Sequence, residues 1–520
     1  MLFVIYFFLL VADLRIYQTV AMEKQSKTTI IGAGNIKTYL VLMIGAFFMQ
    51  SELYCCAATN SRIAKIAIET TNDSLFSAEI QQQLSNKNEP SLYYPKSVKR
   101  FYKQKNFKPF WIKDKKEQDK TWEAMLMIDC VVQFGFSHAD YHPKELLYDR
   151  LHTMFDQPDI VDVKEKARFD IMLTDALLTF INNLHFGKLN PDFPASRIDE
   201  GHITFNAEAV LAQAMTQKDF MGSVLSVQPK CPEYVMLQEY MSLIKGQFLD
   251  DCYEIPEEEV RKVAINMERL KWTNIEQSSY IHVNIPSYSL KFYQPDTVYE
   301  FKVIVGKPDH PTPTLRSSIG YFTTAPEWKV PQRIFIKELL PKAVKNISYL
   351  ENNNFTIYDS KGNYIKPTLN NLLKVRQSPQ SYRATQSSGC DNALGLLVFR
   401  FPNIYNIFLH DTPEKRLFKR QERAFSHGCI RVEQAELLAD KMLTFDGQAS
   451  TISVVHAAVK AYQTKSFRFK KAMPVKVTYL TCEMKDGLLQ TYKDIYNLDK
   501  QLELALFPTE RPIAIIKPGQ

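Results

Sequence analysis

Ala424-Phe425-Ser426-His427-Gly428-Cys429-Ile430-Arg431-Val432 follows, across a basic loop, the run Ile404-Tyr405-Asn406-Ile407-Phe408-Leu409-His410-Asp411-Thr412-Pro413. Asn406 to His410 has the texture of an apolar strand, and three reactive side chains, His410, His427 and Cys429, fall within twenty residues. A thiol attacks a carbonyl as its thiolate, so it needs a base or a positive field nearby. Two histidines are candidates for the base, and Arg431 adds fixed positive charge. Gly428 has no Cβ, so it suits a turn that exposes the thiol and aims backbone N–H groups at a developing oxyanion. The stretch reads as a cysteine nucleophile held between strands.

Outward from this stretch the texture stays β-rich. Tyr280 to Ile285 and Tyr299 to Val305 alternate and end at Pro286 and Gly306; further strands are expected at Leu396 to Phe401 and Ser450 to Val455, with a helix from Gln434 to Leu443. Pro331 to Cys390 is rich in Asn, Ser, Lys and Pro without a steady period, and a long irregular insertion of that kind is usually a functional lid. From Tyr93 to about Val263 the apolar spacing is helical, as in Ile171, Leu173, Leu177, Leu178 and Ile181. His138, His142, His152 and His185 show no ligand spacing and read as structural. The fold class expected is α+β, a helical domain followed by a β-rich one.

Charged residues at 23% and hydrophobic ones at 45% exclude wholesale disorder and a multi-span membrane protein. The apolar runs Leu2 to Ala12 and Tyr39 to Met49 are shorter than the roughly 20 residues of a spanning helix. The second follows Lys24, Lys27 and Lys37 and precedes Cys55-Cys56-Ala57-Ala58, the arrangement of an export signal, with Met22 and Met43 as alternative starts and a retained membrane anchor as the rival reading. Residues 59–90 are polar and read as a linker. The cysteines beyond the signal, Cys130, Cys231, Cys252, Cys390, Cys429 and Cys482, form no dense disulfide framework. A net charge of +7 dispersed along the chain gives no basic stripe, so nucleic acid is not the expected partner.

The run Ser426-His427-Gly428-Cys429-Ile430-Arg431, preceded by a strand ending in His410-Asp411-Thr412-Pro413, resembles the L,D-transpeptidase catalytic (YkuD) domain. Similarity extends to the large periplasmic branch typified by YcbB. Its landmarks include Phe107-Lys-Pro-Phe-Trp111, Asn266-Met-Glu-Arg-Leu-Lys-Trp272, Val305-Gly-Lys-Pro308, Pro326-Glu-Trp328 and Asn392-Ala-Leu-Gly395. With a signal or membrane segment read at 1–58 and a tail at 507–520, the resemblance implies a helical scaffold domain at 91–265 and a catalytic domain at 266–506 with a capping insertion at 331–391. Only a short stretch stands between about Lys230 and Glu259, where that branch carries a wall-binding subdomain.

What the resemblance implies about chemistry is a 3–3 cross-linking reaction on peptidoglycan tetrapeptide stems through a Cys429 thioester, in the periplasm. It assigns the base to His410, its ring fixed by the Asp411 carbonyl, and leaves His427 lining the site. Two residues on an extended segment stand nearly 7 Å apart, so His427 need not reach the sulfur. Ser426 and Arg431 are expected to shape the turn, the oxyanion site or contacts to substrate carboxylates; the basic residues Lys415, Arg416, Lys419, Arg420 and Arg423 are candidates for such contacts, and Trp328 and Tyr321 for channel walls. No metal or organic cofactor is implied, and carbapenems are expected to acylate Cys429. Alternatives are an L,D-carboxypeptidase, an enzyme joining proteins to stems or releasing them, an idle wall-binding scaffold, and a zinc site of His410, His427 and Cys429, which lacks a clear fourth ligand.

Overall fold

The computed structural model describes residues 74–86, 91–113, 118–245, 257–275 and 277–508. The expected signal or anchor at 1–58, Cys252, and the chain beyond 508 lie outside the described residues.

Residues 74–85 form a helix, α1, where a linker was expected. Phe76 and Ile80 stand four apart on one face and are buried in the helical core, and Gln83 Nε2 donates to the Lys164 carbonyl at 2.9 Å. That apolar spacing is hidden among Gln and Asn. The core is built around α2, Val163–Phe186, capped by Asp162 and buried along nearly its whole length. A helix buried on all sides can carry polar groups only if they are paired. Asp170 accepts the backbone N–H groups of Phe110, Trp111 and Ile112, and Asp175 accepts those of Tyr93 and Tyr94 and pairs with His142 at 2.7 Å. His142 is therefore structural.

Helices α3, Pro232–Lys245, and α4, Glu257–Trp272, join the helical half to the β-rich half. Tyr234, Leu237, Val263, Met267 and Leu270 share a core with Leu480 and Cys482. Polar groups fix the docking. Asn266 accepts the Thr481 N–H at 2.8 Å, Arg269 pairs with Asp499 at 2.6 Å, and Glu233 lies 2.7 Å from His282 and 3.2 Å from Lys476. The Asn266 to Trp272 landmark is this seam.

The β-rich half contains strands β1 (Tyr280–Asn284), β2 (Ser289–Gln294), β3 (Thr297–Gly306), β4 (Leu315–Thr324), β5 (Trp328–Lys329), β6 (Phe355–Asp359), β7 (Tyr382–Gln386), β8 (Leu397–Arg400), β9 (Leu409–His410), β10 (Ala424–Ser426), β11 (Ile430–Val432), β12 (Lys465–Thr478), β13 (Cys482–Lys485) and β14 (Leu488–Thr491). The main sheet runs β10-β3-β11-β9-β8-β4-β12-β1-β2 and closes through a β2–β3 pairing, so most of its strands have two neighbours. Its interior residues, among them Val283, Val303, Phe322, Phe399, Leu409, Ile430 and Val475, pack against α5, Ala435–Phe445, and α6, Ile452–Lys460. The strand expected at Ser450 to Val455 is instead a short 3-10 turn running into α6. Ile452, Val455 and Val459 recur at helical spacing and turn one face to the core.

The insertion between β4 and β8 is ordered, not irregular. It has its own three-stranded sheet, β5-β7-β6, and its own core of Val330, Phe335, Leu339, Leu340, Ile357, Leu372, Val375 and Ala384. Trp328, proposed for the channel wall, packs into this core, 6.2 Å from the Phe355 ring.

Candidate active site

β9 and β11 are parallel neighbours in the register Ile430 to Leu409 and Arg431 to His410. Leu409 and Ile430 are fully buried in the barrel core, which turns Phe408, His410 and Arg431 to the other face. Cys429 stands at the start of β11, half-buried, and its successor's N–H donates to the Phe408 carbonyl at 3.1 Å. The sheet thus brings His410 and Cys429 onto adjacent strands.

The turn that presents the thiol is tied from several sides. Ser426 Oγ accepts the Gly428 N–H at 3.1 Å and donates to the Cys429 carbonyl at 2.5 Å. Thr312 Oγ1 donates to the Gly428 carbonyl at 2.8 Å while accepting the Gly306 N–H at 2.9 Å. Gly428 has φ +114°, and an added Cβ would meet nothing closer than 3.7 Å, so its backbone conformation requires glycine where space does not. Ser426 occupies the Gly428 amide, so that N–H is not an oxyanion donor. The Cys429 amide has no hydrogen-bond partner among the described residues and is the donor this loop offers.

His410 Nδ1 lies 2.5 Å from the Asp411 carbonyl. A carbonyl only accepts, so the neutral ring carries its proton on Nδ1 and keeps Nε2 as an acceptor. Burial pushes the His410 pKa down to about 3, the positive charges of Arg431 and Arg400 add to that, and the carbonyls of Asp411 and Leu394 pull the other way. Burial also raises the Cys429 thiol above its ordinary value, partly offset by a backbone hydrogen bond at Phe408 and then by the charges of Arg400 and Arg431. A low imidazole beside a high thiol makes the neutral pair the resting form, not thiolate and imidazolium.

Asp411 is itself held. Its Oδ2 accepts the Leu396 N–H at 2.9 Å, its N–H donates to the Leu397 carbonyl at 2.8 Å, and Lys415 pairs with its carboxylate. His427 faces elsewhere: its Nε2 lies 2.6 Å from Glu338 Oε1 of the insertion, and its ring packs edge-on to His310 at 5.1 Å. Arg431 is engaged by Glu414 at 2.5 Å. In the basic loop, Lys415 serves Asp411 and Arg423 donates to the carbonyls of Val303 and Tyr288, leaving Arg416, Lys419 and Arg420 exposed. Three residues of the site escaped the sequence reading. Thr312 and Glu338 carried no local signal, whereas Arg400 shares the strand alternation of Leu397 to Arg400 and could have been placed on the site face by it.

Two families match the chain: "L,D-transpeptidase catalytic domain" (YkuD) over residues 278–466 and "Scaffold domain" over residues 96–241. A Haemophilus influenzae protein named "Putative L,D-transpeptidase" is 35% identical over 246 residues, which cover 47% of this chain and 49% of the relative. The match thus spans about half the length of that relative. The β-rich stretch that holds His410 and Cys429 is thus similar to the YkuD catalytic domain, and the helical stretch ahead of it to the Scaffold domain.

Proposed function

We propose that the chain is an exported peptidoglycan L,D-transpeptidase that forms 3–3 cross-links through a Cys429 thioester. The observation that carries this is the placement of Cys429 beside a strand whose His410 has its Nδ1 proton fixed by the Asp411 carbonyl. The Cys429 thiol gives its proton to His410 Nε2 as sulfur attacks the carbonyl between the third residue of a tetrapeptide stem and its terminal D-alanine. The Cys429 amide receives the developing oxyanion. The C–N bond then breaks, and His410 returns the proton to the departing D-alanine amine. The side-chain amine of a second stem attacks the thioester, loses its proton to His410, and releases Cys429, which takes the proton back. A buried, neutral His410 suits this cycle because it accepts and donates without a resting charge.

The insertion at 331–391 closes over the donor stem and excludes water, which would otherwise hydrolyse the thioester and give a carboxypeptidase. Export fits a wall substrate; no described helix is long and apolar enough to cross a membrane. The test is incubation of the purified chain with disaccharide-tetrapeptides, read by mass spectrometry. Dimers with loss of D-alanine that vanish in Cys429→Ala support the reading, tripeptide alone means carboxypeptidase, and binding without reaction means a scaffold. His410→Ala abolishes acylation by a carbapenem; abolition by His427→Ala alone would move the base to His427.

A further inference from the structure

Among the described residues, Arg400 is a cation on the site face that the fold leaves without an ion pair. β8 pairs with β9 in the register Val398 to His410 and Phe399 to Leu409, which sets Arg400 opposite Phe408, and Phe408 is level with Cys429 on the next strand. The Arg400 guanidinium lies 4.8 Å from the Phe408 ring centroid, and that ring is 5.6 Å from His410. This cation–π contact places the guanidinium beside the ring while leaving its N–H groups open. No carboxylate or hydrogen-bond acceptor among the described residues pairs with it, in contrast to Arg431 on Glu414. The row continues outward: Tyr321 pairs with Arg400 across β4, and Arg468 lies 5.9 Å over the Tyr321 ring. A half-buried guanidinium without an ion pair, held against a ring beside Cys429, is a receptor for a carboxylate.

We propose that Arg400 determines donor specificity by binding a carboxylate of the acyl-donor peptide within about one residue of the scissile carbonyl, a reading that rests on the transpeptidase function above. The backbones of Arg400 and Cys429 are two strand spacings apart, about 10 Å, and the arginine side chain spans most of that. A carboxylate at that distance comes either from the terminal D-alanine or from the side chain of the third residue. The test compares three donors on the purified chain: the tetrapeptide free acid, its C-terminal amide, and a peptide with lysine in place of the third-residue diamino acid that bears a carboxylate. Wild type is expected to lose about 10- to 100-fold in kcat/KM on the one donor that lacks the bound carboxylate. Arg400→Gln shows that loss on the free acid and under about 3-fold on that donor, and Arg400→Lys recovers part. Loss on the amide identifies the terminal carboxylate, loss on the lysine peptide the side-chain one. Equal wild-type rates on all three donors, or an Arg400→Gln penalty that is the same on all, overturn the proposal. The wild-type comparison stands even if the variant misfolds, which the rate of Cys429 alkylation by iodoacetamide reveals. A wild type that forms no acyl-enzyme on any donor refutes the transpeptidase reading and this proposal with it; a reactive wild type matched by Arg400→Gln refutes Arg400 alone.

Discussion

Gly395→Ala probes how the fold holds His410. Gly395 sits at φ +62°, and a Cβ there would meet Asp411 Cβ and Cγ at 2.6 Å. Asp411 cannot move freely, because its carboxylate accepts the Leu396 N–H at 2.9 Å and pairs with Lys415. A left-handed conformation costs a residue with a Cβ about 1–2 kcal/mol. Displacing the buried carboxylate forfeits a hydrogen bond to a charged group, about 1.5–3 kcal/mol. The expected loss is therefore about 2.5–5 kcal/mol. Gly487→Ala is the control: φ is +79° but nothing lies within 4 Å of the added Cβ, so only the conformational cost of about 1–2 kcal/mol applies. Urea unfolding of both purified variants, at unchanged m, isolates the Asp411 contribution as their difference. Because the Asp411 carbonyl orients His410, acylation of Cys429 by a carbapenem should slow at least about tenfold in Gly395→Ala and stay near wild type in Gly487→Ala. Losses within about 0.5 kcal/mol of each other, or unchanged acylation, would show that Gly395 does not restrain Asp411.

Unfolded His410 takes up a proton near its ordinary pKa of about 6.5, but the folded protein resists until about 3, so between those values the unfolded state binds more protons and stability falls as pH falls, by up to about 1.4 kcal/mol per pH unit. His410→Asn should flatten that part of the stability profile measured by thermal unfolding; an unchanged slope contradicts a neutral, buried imidazole. At the seam between the two halves, Glu233→Leu should cost about 3–5 kcal/mol because it strands the buried Lys476, Lys476→Met should cost less because Glu233 keeps His282 and the Tyr280 hydroxyl, and the double variant should cost less than their sum. A coupling below about 0.5 kcal/mol in denaturant unfolding speaks against a shared charge network. Ser426→Ala leaves the Gly428 N–H and Cys429 carbonyl without their hydroxyl and should cost about 1–3 kcal/mol with a slower acylation followed by intact mass. A destabilised variant that acylates at the wild-type rate would reduce Ser426 to a turn residue.

The strand that ends at His410 and its closeness to Cys429 were readable because the two lie close in sequence and the strand obeys alternation. The helical texture before Val263 was readable for the same reason, since its periodicity is local. What sequence concealed depends on distant partners. His427 meets Glu338 across 89 residues, and nothing near Glu338 marks it as reaching the Cys429 loop. Gly428 suggested an oxyanion amide, but only the tertiary fold shows Ser426 already occupying it. Ser450 to Val455 reads as a strand when β-branched residues are counted, and Val459 shows which period wins. The insertion looked irregular because its core is assembled from short pieces, such as Phe335, Leu339 and Leu340 with Leu372 and Val375, that meet only in three dimensions.

The His427–Glu338 bond couples the insertion to the thiol-bearing loop. Both side chains are partly exposed, at 29% and 43%, so the pair favours this arrangement by no more than about 1 kcal/mol. A ligand that must part them works against that bias, and by reciprocity anything that strengthens the pair weakens such a ligand's affinity by the same factor. A bias this small amounts to about fivefold at most, so ordinary thermal fluctuation is enough to part the pair.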